Sequence, residues 1–175
     1  DLEDKGGEIV IKGVDENFSH LTLIDSILID GSFILKDEVA DYATLGVGLS
    51  AKLGAKPGFA SPLEIYVPKR DEKVNLSNPA SSFNQEYAYI GGVFLINQQV
   101  YDEGYMILPI SLVRQLLKYD KEVSSIELKL ADGVDISSAK KQIKVLLGDR
   151  FIVQDRYEQQ EASFKMMQVE KWMTF

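Results

Sequence analysis

Few residues in this chain have the types and spacing that chemistry requires. The one histidine, His20, sits among Ser19, Leu21 and Thr22. A lone imidazole cannot build a histidine-rich metal site, so a structural or surface role is expected of it. The sequence has no cysteine. That excludes disulfides, thiolate metal ligands and a cysteine nucleophile, and leaves the compartment open. Gly46-Val47-Gly48-Leu49-Ser50 has the look of a glycine-rich loop. Yet no Gly-x-Ser-x-Gly is present, and no Gly-Lys-Ser/Thr closes a phosphate cradle. The two glycines are expected to serve a passage from strand to helix. Asp71-Glu72 and Asp102-Glu103 are neighbouring carboxylates. General acid–base work needs carboxylates facing across a cleft, whereas chain neighbours point apart, so solvated turns are expected of both pairs. Tyr87, Tyr89, Phe94, Tyr101 and Tyr105 lie on or near strands and read as sheet packing more than as a sugar or base platform. The sequence therefore points to no catalytic residue, metal ligand or cofactor.

Composition narrows the partners. The chain has 175 residues, 45% hydrophobic, enough for one sizeable core or two small subdomains. Its formal net charge is -8, and its pI is about 4.7. An acidic balance argues against nucleic acid and against adsorption to an anionic membrane. No apolar run approaches the length of a membrane span. The first residue is Asp1 and no signal peptide is present, so the chain reads as a processed or excised piece.

Hydrophobic periodicity supplies the elements. Strands are expected at Glu8–Lys12, Tyr42–Gly46, Leu63–Val67, Glu86–Ile96, Tyr105–Leu108, Ser124–Leu130 and Phe151–Val153. Gly91-Gly92 suggests a bulge or a close backbone approach. A short helix over Leu49–Leu53 is closed by Gly54. Pro109 and Ser111 open a helix that turns Leu112, Val113, Leu116 and Leu117 to one side. Asp135, Ser137 and Ser138 offer caps for a helix carrying Ile143, Leu146 and Leu147 inward, stopped by Gly148. From Tyr105 the order is strand, helix, strand, helix, strand, helix, an α+β or split βαβ arrangement. Between the strong strands, Pro68–Asn84 is polar and rich in turn formers. It reads as a long exposed loop or a protruding hairpin.

The last stretch carries a different signal. Glu158 to about Met173 predicts one helix, growing apolar at Phe164, Met166, Met167, Val169, Trp172 and Met173. Lys171 and Trp172 are residues that favour a membrane interface, and no Gly or polar cap closes the helix. A helix projecting toward a bilayer is the expectation.

The order and spacing of several segments add to this. They are Ile11-Lys12-Gly13-Val14-Asp15, LGVGLSAKLGAKPG at 45–58, IYVP at 65–68, YIGGVFLINQQVYDEGYMILPISLVRQLL at 89–117 and FKMMQVEKWM at 164–173. Together they resemble the extracytoplasmic domain, a MacB-like periplasmic core, of ABC-transporter permeases of the MacB and lipoprotein-releasing LolC/LolE type. The resemblance covers most of the chain from about Ile9. It implies an α+β fold with a Porter-like split βαβ subdomain, residues 1–17 and 97–175, and an inserted, smaller Sabre-like α/β subdomain, residues 18–96. The family has a further strand-helix-strand portion upstream that this chain lacks, so the Porter-like part is expected to be incomplete at its N-terminal side. A loop at 69–83 occupies the position of the family's hook, which recruits a soluble periplasmic lipoprotein carrier. Lys69, Arg70, Val74, Leu76, Pro79 and Phe83 are the partner-binding residues this implies.

The resemblance also implies a non-enzymatic role on the periplasmic side of the cell inner membrane, in transport or lipoprotein release. ATP hydrolysis would belong to a cytoplasmic ATPase subunit. A second permease chain, identical or not, would complete the complex. The alternatives are a secreted carbohydrate-binding or adhesion module, favoured by aligned aromatic residues on a sheet face, and an extracytoplasmic hydrolase with an acidic cleft.

Overall fold

Two parallel strands begin the architecture. β1 (Val10–Val14) lies alongside β6 (Tyr105–Pro109), with Val10 opposite Tyr105 and Val14 opposite Pro109. In this computed structural model, residues 9–70 and 79–159 are described. The chain divides into two units, Asp1–Ile126 and Glu127–Phe175. The first is mixed α/β. After β1 come α1 (Phe18–Leu21), a 3-10 turn at Ile24–Ile27, β2 (Leu28–Gly31), β3 (Tyr42–Gly46) and α2 (Val47–Leu53). There follow β4 (Leu63–Pro68), a 3-10 turn at Pro79–Ser82, β5 (Phe83–Phe94), α3 (Gln99–Gly104), β6 and α4 (Ile110–Leu117). The strand order is β1-β6-β3-β5-β2, and β4 pairs with β5 off that path. β6 joins β1 to β3, so the two stretches that the family resemblance assigns to separate subdomains lend strands to one sheet.

Alternation along the strands sorts side chains onto two faces. Met106 and Leu108 of β6 join Ala43, Leu45, Ile65 and Ala88 in one buried cluster. α4 adds Leu112 and Leu116 to it, at the spacing of one helical turn. Burying each such leucine contributes about 1.5–3 kcal/mol. Ile107 points the other way, into a second cluster with Val14, Ile24 and Phe94. α1 and the following 3-10 turn roof this second face with partly buried Phe18 and Ile27.

Two glycines are explained by close approach and a third by a bulge. β3 passes into α2 at Gly46, as expected, but the reason for the glycine lies on α3. A Cβ at Gly46 would collide with the carbonyl oxygens of Tyr101 and Asp102, and one at Gly48 would stand 2.6 Å from Glu103 Cγ. In β5 the register steps from Ala43↔Ile90 to Thr44↔Gly92. That leaves Gly91 unmatched, the bulge its Gly-Gly pair suggests.

In the second unit α5 (Ile136–Leu147) starts where the caps predict. Asp135 accepts a hydrogen bond from the Ser138 amide at 2.7 Å, and Gly148 ends the helix at φ +65°. Two expected strands are not there: Ser124–Leu130 and Phe151–Val153 are irregular. An alternating segment becomes a strand only where a neighbour takes up its N–H and C=O groups. Among the described residues neither segment has one, and Ile126 and Ile152 stay 75% and 88% exposed. The expected strand-helix alternation from Tyr105 therefore stops after α4. Residues 156–159 form a helical turn, with Asp155 as its cap. Asp155 Oδ1 accepts from the amides of Tyr157 and Glu158, while Glu158 Oε2 accepts from the Asp155 amide at 3.1 Å. This reciprocal pairing is a capping box. The apolar stretch at 160–175, expected to project toward a membrane, lies outside the described residues. No described helix is long and apolar enough to cross a membrane.

Candidate partner-binding site

The β4–β5 hairpin builds the site from the backbone up. LEIYV alternates and is β-prone, as are the first residues of β5, and the two strands pair antiparallel from Leu63↔Ala88 to Pro68↔Phe83. The Lys69 amide then donates to the Ser82 carbonyl at 2.9 Å, closing the base of the loop. Pro68 ends the ladder, since it has no N–H to donate. β4 and β5 are therefore the paired stem of a hairpin, and of the chain that joins them residues 71–78 lie outside the described residues.

Four of the six residues expected to bind a partner are described on that frame. Lys69 is half-buried at the loop base. Arg70 is exposed, and its guanidinium lies over the Tyr119 ring, 4.9 Å from the centroid. Val74 and Leu76 lie outside the described residues. Pro79 opens the 3-10 turn. Phe83, first in β5, is partly exposed. A second tie holds the hairpin stem: Asn84 Nδ2 donates to the Leu116 carbonyl of α4 at 2.8 Å. Neither Tyr119 nor Asn84 is legible as an anchor, because their partners, Arg70 and Leu116, are distant in the chain.

The outward face of the same hairpin carries a feature that strand alternation could have revealed. Glu64 and Tyr66 of β4 face the same way as Gln85 and Tyr87 of β5, through the pairs Tyr66↔Gln85 and Glu64↔Tyr87. Gln85 Nε2 donates to both tyrosine hydroxyls at 2.8 Å. The Tyr66 hydroxyl donates to Glu64 at 2.5 Å. Giving that proton up is therefore harder, and the Tyr66 pKa is raised above 10.0. Both rings are about half exposed. Tyr87, expected to pack within the sheet, instead stands half exposed, because among the described residues of the first unit no layer covers the outer face of this stem.

The other candidate residues are dispersed. His20 lies exposed near the end of α1. The pair Asp102-Glu103, expected in a solvated turn, lies in α3. Asp102 is 7% exposed and accepts from the amides of Ile96 and Gln98 at 2.9 and 3.0 Å. Glu103 pairs with Lys52 of α2 at 2.8 Å, and this hydrogen bond holds its carboxyl below the usual glutamate value. The two do point apart, as neighbours must, but one is a buried loop brace. Asp71-Glu72 lies outside the described residues. No cluster of three or more metal-ligating side chains occurs among the described residues.

No protein-family model matches this sequence, and no curated protein matches it.

Proposed function

We propose that this chain is the extracytoplasmic domain of an inner-membrane ABC permease of the MacB or lipoprotein-releasing type, and that it meets a soluble partner through the loop at 69–83. The observation that carries the reading is the hairpin: two strongly paired strands present that loop at their tip, at the place of the family's hook. The segment order set out above supports the family. In this reading the domain transmits motion from a cytoplasmic ATPase subunit and has no chemistry of its own. A lipoprotein carrier is the partner the hook position suggests, with Val74 and Leu76 as apolar anchors inside a rim of Lys69 and Arg70.

The test is capture of a purified periplasmic lipoprotein carrier by the immobilised chain. Replacing Val74 and Leu76 together with Ser should leave the fold intact, since exposed substitutions change stability by about 0.5 kcal/mol or less. Capture should fall at least tenfold. Equal capture by the double variant removes the hook.

A second reading rests on the Tyr66–Gln85–Tyr87 surface. Two exposed rings fixed by hydrogen bonds suit stacking against a sugar. Saturable binding of an oligosaccharide that Tyr66→Ala and Tyr87→Ala abolish would favour a carbohydrate-binding module over the permease domain.

A further inference from the structure

The turn between β1 and α1 carries a tripeptide that the hairpin leaves unused. Asn17-Phe18-Ser19 is an Asn-x-Ser acceptor for N-linked sugar, its middle residue being other than proline. Such an acceptor has to lie on the surface to be reached. Asn17 is exposed and Ser19 half-buried. The Asn17 carboxamide is not spent on the helix that follows, since no side-chain bond caps α1.

Asp15 gives the tripeptide its context. Its carboxylate accepts from the Asn17 backbone amide through Oδ1 at 3.0 Å and from the Asn17 carboxamide through Oδ2 at 3.4 Å. An acid two residues before the asparagine thus holds the acceptor in an Asx turn on an exposed residue. Bacterial oligosaccharyltransferases require an acid at that place, and Asp15-Glu16-Asn17-Phe18-Ser19 supplies it. The sequence has one other Asn-x-Ser, Asn75-Leu76-Ser77, and there Lys73 stands where the acid would be. Asn17 also borders an open hollow of about 280 Å³, whose walls include Val14, Leu35, Pro109 and Ile110. A first sugar ring has room to lie against them.

We propose that Asn17 is a site of N-glycosylation by an oligosaccharyltransferase of the bacterial kind. Its exposure to that enzyme in the cell rests on the periplasmic placement proposed above. The Asn17 carboxamide nitrogen attacks the anomeric carbon of a lipid-pyrophosphate-linked oligosaccharide. The nitrogen–carbon bond forms, the bond from that carbon to the pyrophosphate oxygen breaks, and the nitrogen gives one proton to a base of the transferase. The lipid pyrophosphate is the leaving group. Asp15 is a positioning residue: it orients the carboxamide and takes no part in the transfer.

The experiment incubates the whole folded chain with a purified bacterial oligosaccharyltransferase and its lipid-linked donor, and reads occupancy at each asparagine by peptide mass spectrometry. Glycan at Asn17 is expected, with Asn75 left bare. Asn17→Gln should remove it, and Ser19→Thr, which keeps the hydroxyl, should retain it. Asp15→Asn, which keeps the shape and loses the charge, should lower Asn17 occupancy about tenfold, as loss of orientation does. Undiminished occupancy in that variant, or equal occupancy at Asn75, overturns the role of Asp15. A bare Asn17 in the parent chain overturns the site. The Asn17 peptide from the protein's native cells should carry the same mass increment, and a bare native peptide overturns the modification in the cell. No hook residue and no carrier enters these measurements, so their failure leaves the permease domain standing, and loss of carrier capture leaves Asn17 standing.

Discussion

The Arg70 guanidinium covers the Tyr119 ring and donates through Nη1 to the Tyr119 hydroxyl. This clasp links the first residues beyond β4 to the residue just past the left-handed Lys118 that ends α4. It steadies the base of the hairpin loop at Lys69 and Arg70. Tyr119→Ala should therefore speed hydrogen exchange of the Lys69 amide several-fold. Global stability should change by about 1 kcal/mol or less, the usual worth of an exposed cation–π contact. Tyr119→Phe, which keeps the ring, should retain most of the protection. Unchanged Lys69 exchange in the alanine variant would show that the clasp does not hold the loop.

Asp102 should matter to stability more than any other carboxylate described. Its two oxygens take the amides of Ile96 and Gln98, where the chain leaves β5 and turns into α3. Asp102→Ala strands both donors, at about 1–3 kcal/mol each. Asp102→Asn keeps one acceptor and should lose roughly half as much. Urea unfolding compares the two, and an alanine variant within 0.5 kcal/mol of the parent would sink the brace (about the size of a neutral surface change).

Asp102 also shows where sequence stops being legible. Composition and turn chemistry assign an Asp-Glu pair to solvent, and nothing local reveals that a chain reversal needs an acceptor inside it. The helices α4 and α5 were legible because cap, apolar stripe and stop agree within one segment. β3, β4, β5 and β6 were legible because each alternates or runs apolar and each finds a partner. The same alternation at Ile126, Leu128 and Leu130 misleads, since pairing is a property of two segments and cannot be read from one. α1 and α3 are too short for a periodicity to emerge. Of the candidate site, the flanking strands could be read, but the Arg70–Tyr119 and Asn84–Leu116 ties could not.

Gly46 tests the packing of α2 against α3. Its backbone is ordinary, at φ −63°, so any L-residue could adopt it. The obstacle is the Tyr101 carbonyl oxygen, 2.6 Å from where a Cβ would stand, with the Asp102 oxygen nearer still. Backbone cannot yield as a flexible side chain does, and Gly46→Ala should cost about 2–3 kcal/mol. Gly54→Ala is the control. Nothing lies near its Cβ position, but φ is +62°, so its cost should be about 1 kcal/mol of left-handed strain alone. Thermal or urea unfolding that ranks Gly54→Ala as the worse change would contradict the collision.

The last prediction concerns Lys140 on α5, which reaches Asp155 Oδ2 at 3.2 Å and also pairs with Glu158. Its pKa is raised above 10.5, chiefly by the hydrogen bond to Glu158. That contribution is complete below the ordinary lysine value and is lost as pH rises through the raised one. Asp155 and Glu158 are held below 3.8 and 4.5. Their contributions are complete above those ordinary values and are lost as pH falls through the lowered ones. The tie should thus be flat across neutral pH and loosen at both extremes. The causes differ between the two acids. For Glu158 the Lys140 bond is the largest, whereas for Asp155 the largest is the backbone amide of Glu158, with Lys140 second. Lys140→Met removes the cation but spares the capping box. Carboxyl carbon NMR titrations of parent and variant should then show both midpoints rising, with Glu158 rising further than Asp155. A larger rise at Asp155 would mean that the lysine, more than the helix amides, holds that cap in place.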